Sequence, residues 1–307
     1  MAQEKAQLTI LQKFTLEALW ILCRGFALLP HFIRHGVFTN LTYALLRALR
    51  YRQRVMMDNL RRSFPSKSES ELKKICNGAY YNLAEQIINT VSQSGVSDKT
   101  LLKRMTFTND KQTREAVGGG SVIMLTAHYG PWEAGSTVSL VFPEQEFVAV
   151  YHKLTNVVFD ELMKRIRQHT NVTLVDMKRT MRHFIDNRNH RPMAMGLISD
   201  QNPAFRSNMP WYKFLHQWTA FFDGGEMLAT KYKLPVYYFS PRRIKAGHYE
   251  GTFILIHDGK EPIEQYTITE RYVRLLEQEI NAHPEMWMWT HRRWKHIPPA
   301  ELQAQKI

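Results

Sequence analysis

Short apolar runs separated by helical patterns constrain this chain more than any other feature. Runs at residues 122–125, 147–151, 172–175 and 193–198 each have strand length and lie within turn signals. Between them, residues 157–166 place Leu162, Met163 and Ile166 on one helical face, and a further helix covers 181–185. Strands alternating with helices on this scale predict βαβ units. The expected fold class is therefore α/β, a mainly parallel mixed sheet flanked by helices. Later strands are expected at 236–239 and 252–257, with helices over 223–232 and about 269–282.

The first run ends in Ala127-His128-Tyr129-Gly130-Pro131-Trp132-Glu133. Gly118, Gly119 and Gly120 turn the chain into the strand, and Pro131 suits the first turn of a following helix. His128 then sits at the carboxyl end of a strand, the edge at which open α/β sheets bind ligands. Across such a corner the side chains of His128 and Glu133 can meet in one hydrogen bond. A carboxylate there would fix the imidazole tautomer and support the imidazolium, the logic of a hydrolytic triad. The stretch holds no serine or cysteine, so a substrate hydroxyl or amine would be the nucleophile and His128 its base. Taken alone, a His followed by a Glu is usually two satisfied polar residues at a loop.

Charge narrows the partners. Lys+Arg 41 against Asp+Glu 28 gives +13 and a pI near 9.7, which favours nucleic acid, a membrane surface or an acidic protein. The 44% hydrophobic content argues against a disordered basic tail. Cys23 and Cys76 offer neither metal spacing nor a disulfide framework, so no metal is expected and the chemistry is expected to face the cytosol. Residues 8–32 are long enough to span a bilayer but carry Lys13, Glu17 and Arg24. They read as a helix seated in the membrane interface, with a true span or a core helix as alternatives. Arginines from Arg34 to Arg62 alternate with leucines and suit anionic lipid or a solvated helix face. Ser68 and Glu71 form a capping box opening a long helix whose stripe runs from Leu72 through Tyr80 and Leu83 to Ile87 and Val91. Residues 201–221 are aromatic and aperiodic and read as a long loop suited to an acyl chain or folded over the core. The closing segment, from His283 to Lys295, interleaves basic and aromatic residues.

Several separated blocks together resemble a known family. His-x-x-Pro-Trp-Glu at His128–Glu133 resembles the motif of the lipid A late acyltransferases, within the wider His-x4-Asp/Glu glycerolipid acyltransferases; Pro131 replaces the usual Asn. Tyr51 to Pro65 resembles a second block, Tyr151 with Asp160 and Arg167 another, and Ser199-Asp200-Gln201 with Phe214 and Thr219 a further one. Pro284-Glu285 through Trp294-Lys295 resembles the closing block. The resemblance implies a membrane-bound O-acyltransferase at the cytoplasmic face of a Gram-negative inner membrane. It implies acyl carrier protein as donor, a hydroxyl of a phosphorylated glycolipid, a lipid A precursor, as acceptor, and no cofactor. His128 would be the general base and Glu133 its support. Tyr151, Arg167, Asp200, Arg292 and Arg293 would bind substrate, with Arg167 and backbone N–H groups near Gly130 as donors to the oxyanion and the paired arginines reading phosphate. Residues 1–65 would form a membrane-associated helical segment and 66–307 the acyltransferase domain. A lysophospholipid or aminolipid acceptor keeps the chemistry and changes the substrate. A non-catalytic, basic membrane-peripheral protein is the rival from another class. Nucleic acid is not expected, because the positive charge accompanies an apolar amino terminus and no nucleic-acid module.

Overall fold

The computed structural model describes residues 8–168 and 172–303. Its centre is a seven-stranded sheet in the order β1-β9-β8-β2-β5-β3-β4. The strands are β1 (Met105–Phe107), β2 (Val122–Thr126), β3 (Glu146–Tyr151), β4 (Val172–Asp176), β5 (Met193–Ile198), β8 (Val236–Lys245) and β9 (His248–His257). Every neighbouring pair is parallel except β8 and β9, a long antiparallel hairpin. β2 is apolar in its first four residues, all of them fully buried, as expected of a central parallel strand covered on both faces. The expected α/β class with a mainly parallel sheet is thus what forms.

Helices cover both faces. α4 (Glu69–Ser92) and α10 (Thr267–Ala282) belong to the larger cluster, with Tyr80, Tyr272 and Leu276 buried against Ile123 and Leu125. α7 (Val157–Arg167) and α8 (Thr180–Asn187) make the crossovers between β3, β4 and β5. The capping box of α4 is present, with Ser68 Oγ accepting from the Glu71 amide. The apolar stripe of α4 holds as far as Tyr80 and then turns over. Ile87 is 42% exposed, while Glu85, Asn89 and Ser92 are buried. The cause is the neighbouring elements: Glu85 accepts the Gly247 amide at the β8–β9 turn and pairs with Arg243 at 2.7 Å.

Residues 201–221 are a loop only in part. Strands β6 (Trp211–Phe214) and β7 (Gln217–Ala220) form a small antiparallel hairpin, turned through Leu215 and His216 at positive φ. Alternation hides the pairing, because Tyr212 and Phe214 face the core while Trp211 and Lys213 point outward.

At the amino end lie α1 (Ile10–Leu28), a π-helical turn (Ile33–Phe38), α2 (Thr39–Ala48) and α3 (Gln53–Ser63). α1 docks on α7 through Leu16 against Val158, Leu162 and Ile166, with Glu17 bonded to Arg165 by both oxygens. Its other side leaves Ile10, Phe14, Ile21 and Leu22 two-thirds or more exposed, and Leu41, Leu45 and Leu49 continue that apolar surface along α2. Among the described residues, no single helix is long and apolar enough to cross a membrane; α1 and α2 together reach that length and composition but bend by 110°.

Candidate active site

The register of two central strands builds the site. β2 and β5 run parallel with Thr126 beside Ile198, and the ladder continues one step further through the Ser199 amide to the Thr126 carbonyl. Each chain then advances two residues past that pair, so His128 and Asp200 emerge side by side on the same face. His128 Nδ1 lies 2.8 Å from Asp200 Oδ1. Asp200 is 2% exposed, and its second oxygen accepts from Trp287 Nε1 at 2.8 Å. Burial alone would raise the Asp200 pKa; the adjacent imidazole and the hydrogen bonds from His128 and Trp287 outweigh it and hold the carboxyl below its ordinary range. A carboxylate on Nδ1 sets the tautomer: Nδ1 carries the proton and Nε2 presents its lone pair. Gln201 Nε2, 3.3 Å from that nitrogen, is a donor fitting an unprotonated Nε2.

The expected hydrogen bond between His128 and Glu133 does not form. Instead of a regular α-helix, a 3-10 helix over Trp132–Leu140 follows the corner, and it carries Glu133 toward the end of α7. There both carboxylate oxygens are taken by Arg167, Nε at 2.9 Å and Nη2 at 2.5 Å. A planar carboxylate facing a guanidinium forms two charge-assisted bonds at once, a stronger arrangement than one bond to an imidazole. Burial acts to lower the Arg167 pKa, and the Glu133 charge and hydrogen bond more than restore it. Arg167 is therefore already engaged, and its role as a free oxyanion donor is corrected accordingly. The Gly130 amide is engaged too, donating to the Met286 carbonyl at 2.9 Å.

The closing segment lies across the corner. Tyr129 and Trp287 form an isolated antiparallel bridge, and the Met288 amide donates to the His128 carbonyl. Gly130, at φ +51°, allows this approach: a Cβ there would lie 3.4 Å from Met286 Cε of the closing segment and 3.3 Å from the Pro241 carbonyl of β8. Three side chains from the amino-terminal half hold the segment down. Asn59 donates to the Trp289 and His291 carbonyls, Asn82 to that of Met286, and Arg52 to that of Thr290.

The remaining expected site residues separate. Tyr151 ends β3 on the rim that Glu133 and Arg167 share, with Lys164 Nζ 5.7 Å from its ring centre. Arg292 is exposed, as a phosphate contact requires. Arg293 is 1% exposed, donates to the Ala220 carbonyl and lies 4.5 Å over the Phe221 ring. The Arg293 guanidinium is taken up by the Ala220 carbonyl, the Phe221 ring face and the nearby Asp200 charge, so the paired-arginine expectation is corrected for Arg293. Burial pushes its pKa down to about 10, with the Asp200 charge opposing the fall. It serves as a buried countercharge near Asp200. Asp200 itself contacts His128 rather than substrate.

Trp287 carries a role that composition could not assign. A signal for the Asp200 pairing was present: Thr126-x-His128 and Ile198-x-Asp200 both end apolar strand runs with the same offset. Beside His128, Met56, Ala79, Leu83, Trp132, Trp287 and Met288 line a small, mainly apolar pocket, and the Trp132 ring stands 5.5 Å from the imidazole. Among the described residues no cluster of His, Cys, Asp and Glu could hold a metal ion. The arrangement is an imidazole backed by a buried carboxylate, with a small apolar pocket reached through Trp132 beside it. Comparison with individually curated proteins gave no significant match. The family model of the bacterial lipid A biosynthesis acyltransferases matches residues 1–296, nearly the whole length, and the chain belongs to that family of acyltransferases.

Proposed function

We propose that this acyltransferase moves an acyl chain from an acyl carrier protein thioester to a hydroxyl of a lipid A precursor. The single observation that carries the mechanism is the His128–Asp200 bond at the ends of β2 and β5. It leaves Nε2 as the nitrogen with the free lone pair, ready to take the acceptor's hydroxyl proton as its oxygen attacks the thioester carbonyl. Asp200 stabilises the imidazolium so formed, with Arg293 and Trp287 maintaining its charge. The thiolate leaves and recovers the proton from His128, which restores the base. Gln201 Nε2 is the polar donor nearest the reacting atoms and supports the developing oxyanion once the acceptor displaces it from the imidazole. Glu133 fixes Arg167 and thereby the rim on which Tyr151 stands; it is a positioning residue.

The apolar pocket lined by Met56, Leu83 and Trp132 suits the start of an acyl chain. Arg54 and Arg62 are exposed on α3, the helix that contributes Met56, and complement an acidic donor protein. The exposed leucines, isoleucines and phenylalanines of α1 and α2 suit seating in one leaflet of the inner membrane at its cytoplasmic face, which is where a lipid acceptor and a cytosolic donor meet. Family membership excludes the non-catalytic rival reading.

The test is transfer of a labelled chain from acyl carrier protein to a phosphorylated glucosamine-disaccharide lipid by the purified protein in detergent. The expected product is the acceptor carrying one more ester-linked chain. Acylation of a lysophospholipid or aminolipid in preference to the disaccharide would refute the acceptor assignment. Undiminished transfer by a folded His128→Ala protein would refute the base.

A further inference from the structure

The turned-over half of α4 leads to a second polar site, outside the cleft of His128. Asn89 and Ser92 face inward on α4, and α4 packs against the π-helical turn that carries Arg34 and His35. Both of those side chains are at least 97% buried, Arg34 at 3% exposure and His35 at 2%. Buried polar atoms nearly always find a partner. Here Arg34 Nη1, both ring nitrogens of His35, Asn89 Nδ2, and the hydroxyls of Ser92 and Ser94 are buried without one among the described residues.

The surroundings are positive. His31 lies 4.5 Å from His35 and 5.0 Å from His248, ring centre to ring centre. Arg104 donates to the Ser92 carbonyl, and Arg24 lies over Gly95, where a Cβ would meet its Nε at 2.7 Å. The carbonyl end of α4 balances part of the charge on Arg104 and Arg24. It does not serve Arg34, whose Nε is bonded to the Leu29 carbonyl and whose Nη1 has no acceptor among the described residues. No ion pair forms at Arg24, Arg34 or Arg104 among the described residues; the buried carboxylate of Glu85 is bonded to Arg243 instead. Burial, with His31, Arg34, Arg104 and His248 adding to it, pushes His35 down to about 3, as expected beside clustered positive groups. His31, Arg104 and His248 are half-buried, so the cluster reaches the surface. The surface it reaches is the elbow between α1 and α2, where Leu28 is 84% and Phe32 70% exposed.

We infer that this cluster binds the phosphate group of a membrane lipid, held between Arg34 and Arg104 with Asn89, Ser92 and His31 as further donors, while the lipid's chains run along Leu28 and Phe32. A phosphate supplies several acceptor oxygens in one place, which matches a site rich in donors and poor in acceptors. The site is separate from the acyl-transfer chemistry and does not depend on that reading.

The probes are inorganic phosphate, dihexanoyl phosphatidylglycerol below its micelle concentration, and dihexanoylglycerol, which has the same chains without phosphate. Each is titrated into the full-length protein in a neutral maltoside detergent, with binding followed by calorimetry and by melting temperature. Phosphatidylglycerol is expected to bind and to raise the melting temperature, at least tenfold more tightly than inorganic phosphate. Dihexanoylglycerol is expected to do neither. Arg104→Gln, at the half-buried rim, is expected to weaken phosphatidylglycerol at least tenfold, and Arg34→Lys guards against a folding defect at the buried position. Asp200→Asn is expected to bind as the unaltered protein does, which separates this site from the cleft. Equal affinity for free phosphate and phosphatidylglycerol would retain the phosphate site and overturn the lipid as its source. Equal stabilisation by dihexanoylglycerol, no binding of either phosphate compound, or unchanged affinity in Arg104→Gln would overturn the site.

Discussion

Replacing Asp200 by Asn tests the geometry of the site more sharply than removing the base. The carboxylate accepts two hydrogen bonds, from His128 Nδ1 and from Trp287 Nε1, both at 2.8 Å. An amide has one accepting atom. If the Asn oxygen faces Trp287, its NH2 faces His128, and the imidazole must turn to the tautomer protonated at Nε2, which cannot take a proton. If the amide inverts, the buried Trp287 N–H is left against another donor, at a cost of about 1–3 kcal/mol. The charge is lost in either orientation. Unit charges about 4 Å apart at an effective dielectric near 20 interact by about 4 kcal/mol. At about 1.4 kcal/mol per decade this is about 10³-fold in rate. With the tautomer or unpaired-donor penalty added, Asp200→Asn is expected to lower kcat by about 10⁴- to 10⁵-fold.

The same reasoning expects a partial rescue. Trp287→Phe removes the N–H that dictates the orientation of the amide, so in the double variant the introduced side-chain amide is free to present its oxygen to His128. The penalty of about 1–3 kcal/mol then disappears, and the double variant should exceed Asp200→Asn by about fivefold to 150-fold. It stays far below the unaltered protein because the charge is still absent. Trp287 is 3% exposed among Phe214, Trp289 and Trp294, so the single Trp287→Phe protein serves as the folding control. The assay is the initial rate of acyl transfer with saturating donor and acceptor, alongside circular dichroism and melting temperature. A folded Asp200→Asn protein within tenfold of normal would refute the carboxylate's role. A folded double variant no faster than Asp200→Asn would refute the orientation argument.

Glu133→Gln and Arg167→Gln should each destabilise the protein by about 1–3 kcal/mol, less than a fully buried pair because Arg167 keeps 27% of its side chain exposed. The double variant should melt close to either single one, and chemical denaturation would expose additive losses if the two do not act as a unit. Phe14→Glu with Leu22→Glu should shift most of the protein from the membrane pellet to the supernatant, whereas high salt alone should not; sedimentation and blotting read the outcome. Glu279 is raised above its ordinary pKa by burial, which its bonds from Ser240 and Tyr238 only partly offset. A carboxyl raised in the fold favours folding while protonated and loses that contribution as pH rises through the raised value. Glu279→Gln should therefore flatten the fall in melting temperature as pH rises above the ordinary carboxylate range, and an unchanged slope would count against this assignment.

Local pattern made the sheet legible. Each strand from β2 to β5 is a run too apolar for a surface element, and each crossover helix shows its buried face in the spacing of residues such as Leu162 and Ile166. The hairpin at Trp211–Phe214 was hidden because short alternating strands rich in aromatics resemble a loop. The site was half visible. His128 announces itself by its corner, but the choice between Glu133 and Asp200 depends on strand order, which no local signal carries. Placing β5 next to β2 puts Asp200 within reach; placing β3 there would not. Arg293 shows the converse limit: two adjacent arginines read alike in sequence, yet one extended step turns Arg292 to solvent and Arg293 into the core.

The closing segment unites these observations. Trp287 and Arg293 both support the charge on Asp200, yet neither belongs to the sheet that carries His128. Their positions are set by main-chain carbonyls of residues 286–291, which are held by Arg52, Asn59 and Asn82 from α3, α4 and the turn before them. α2 in turn lies against α4, and α1 against α7, whose last residue is the Arg167 that fixes Glu133. The helices with the exposed apolar surface are thus tied to both halves of the corner, to the Asp200 side through the closing segment and to the Glu133 side through α7. A membrane that orients α1 and α2 therefore orients His128 as well. On the proposed function, an acceptor hydroxyl confined to a lipid surface would meet His128 at a fixed height, and part of the entropy of bringing them together would be lost before the acceptor binds.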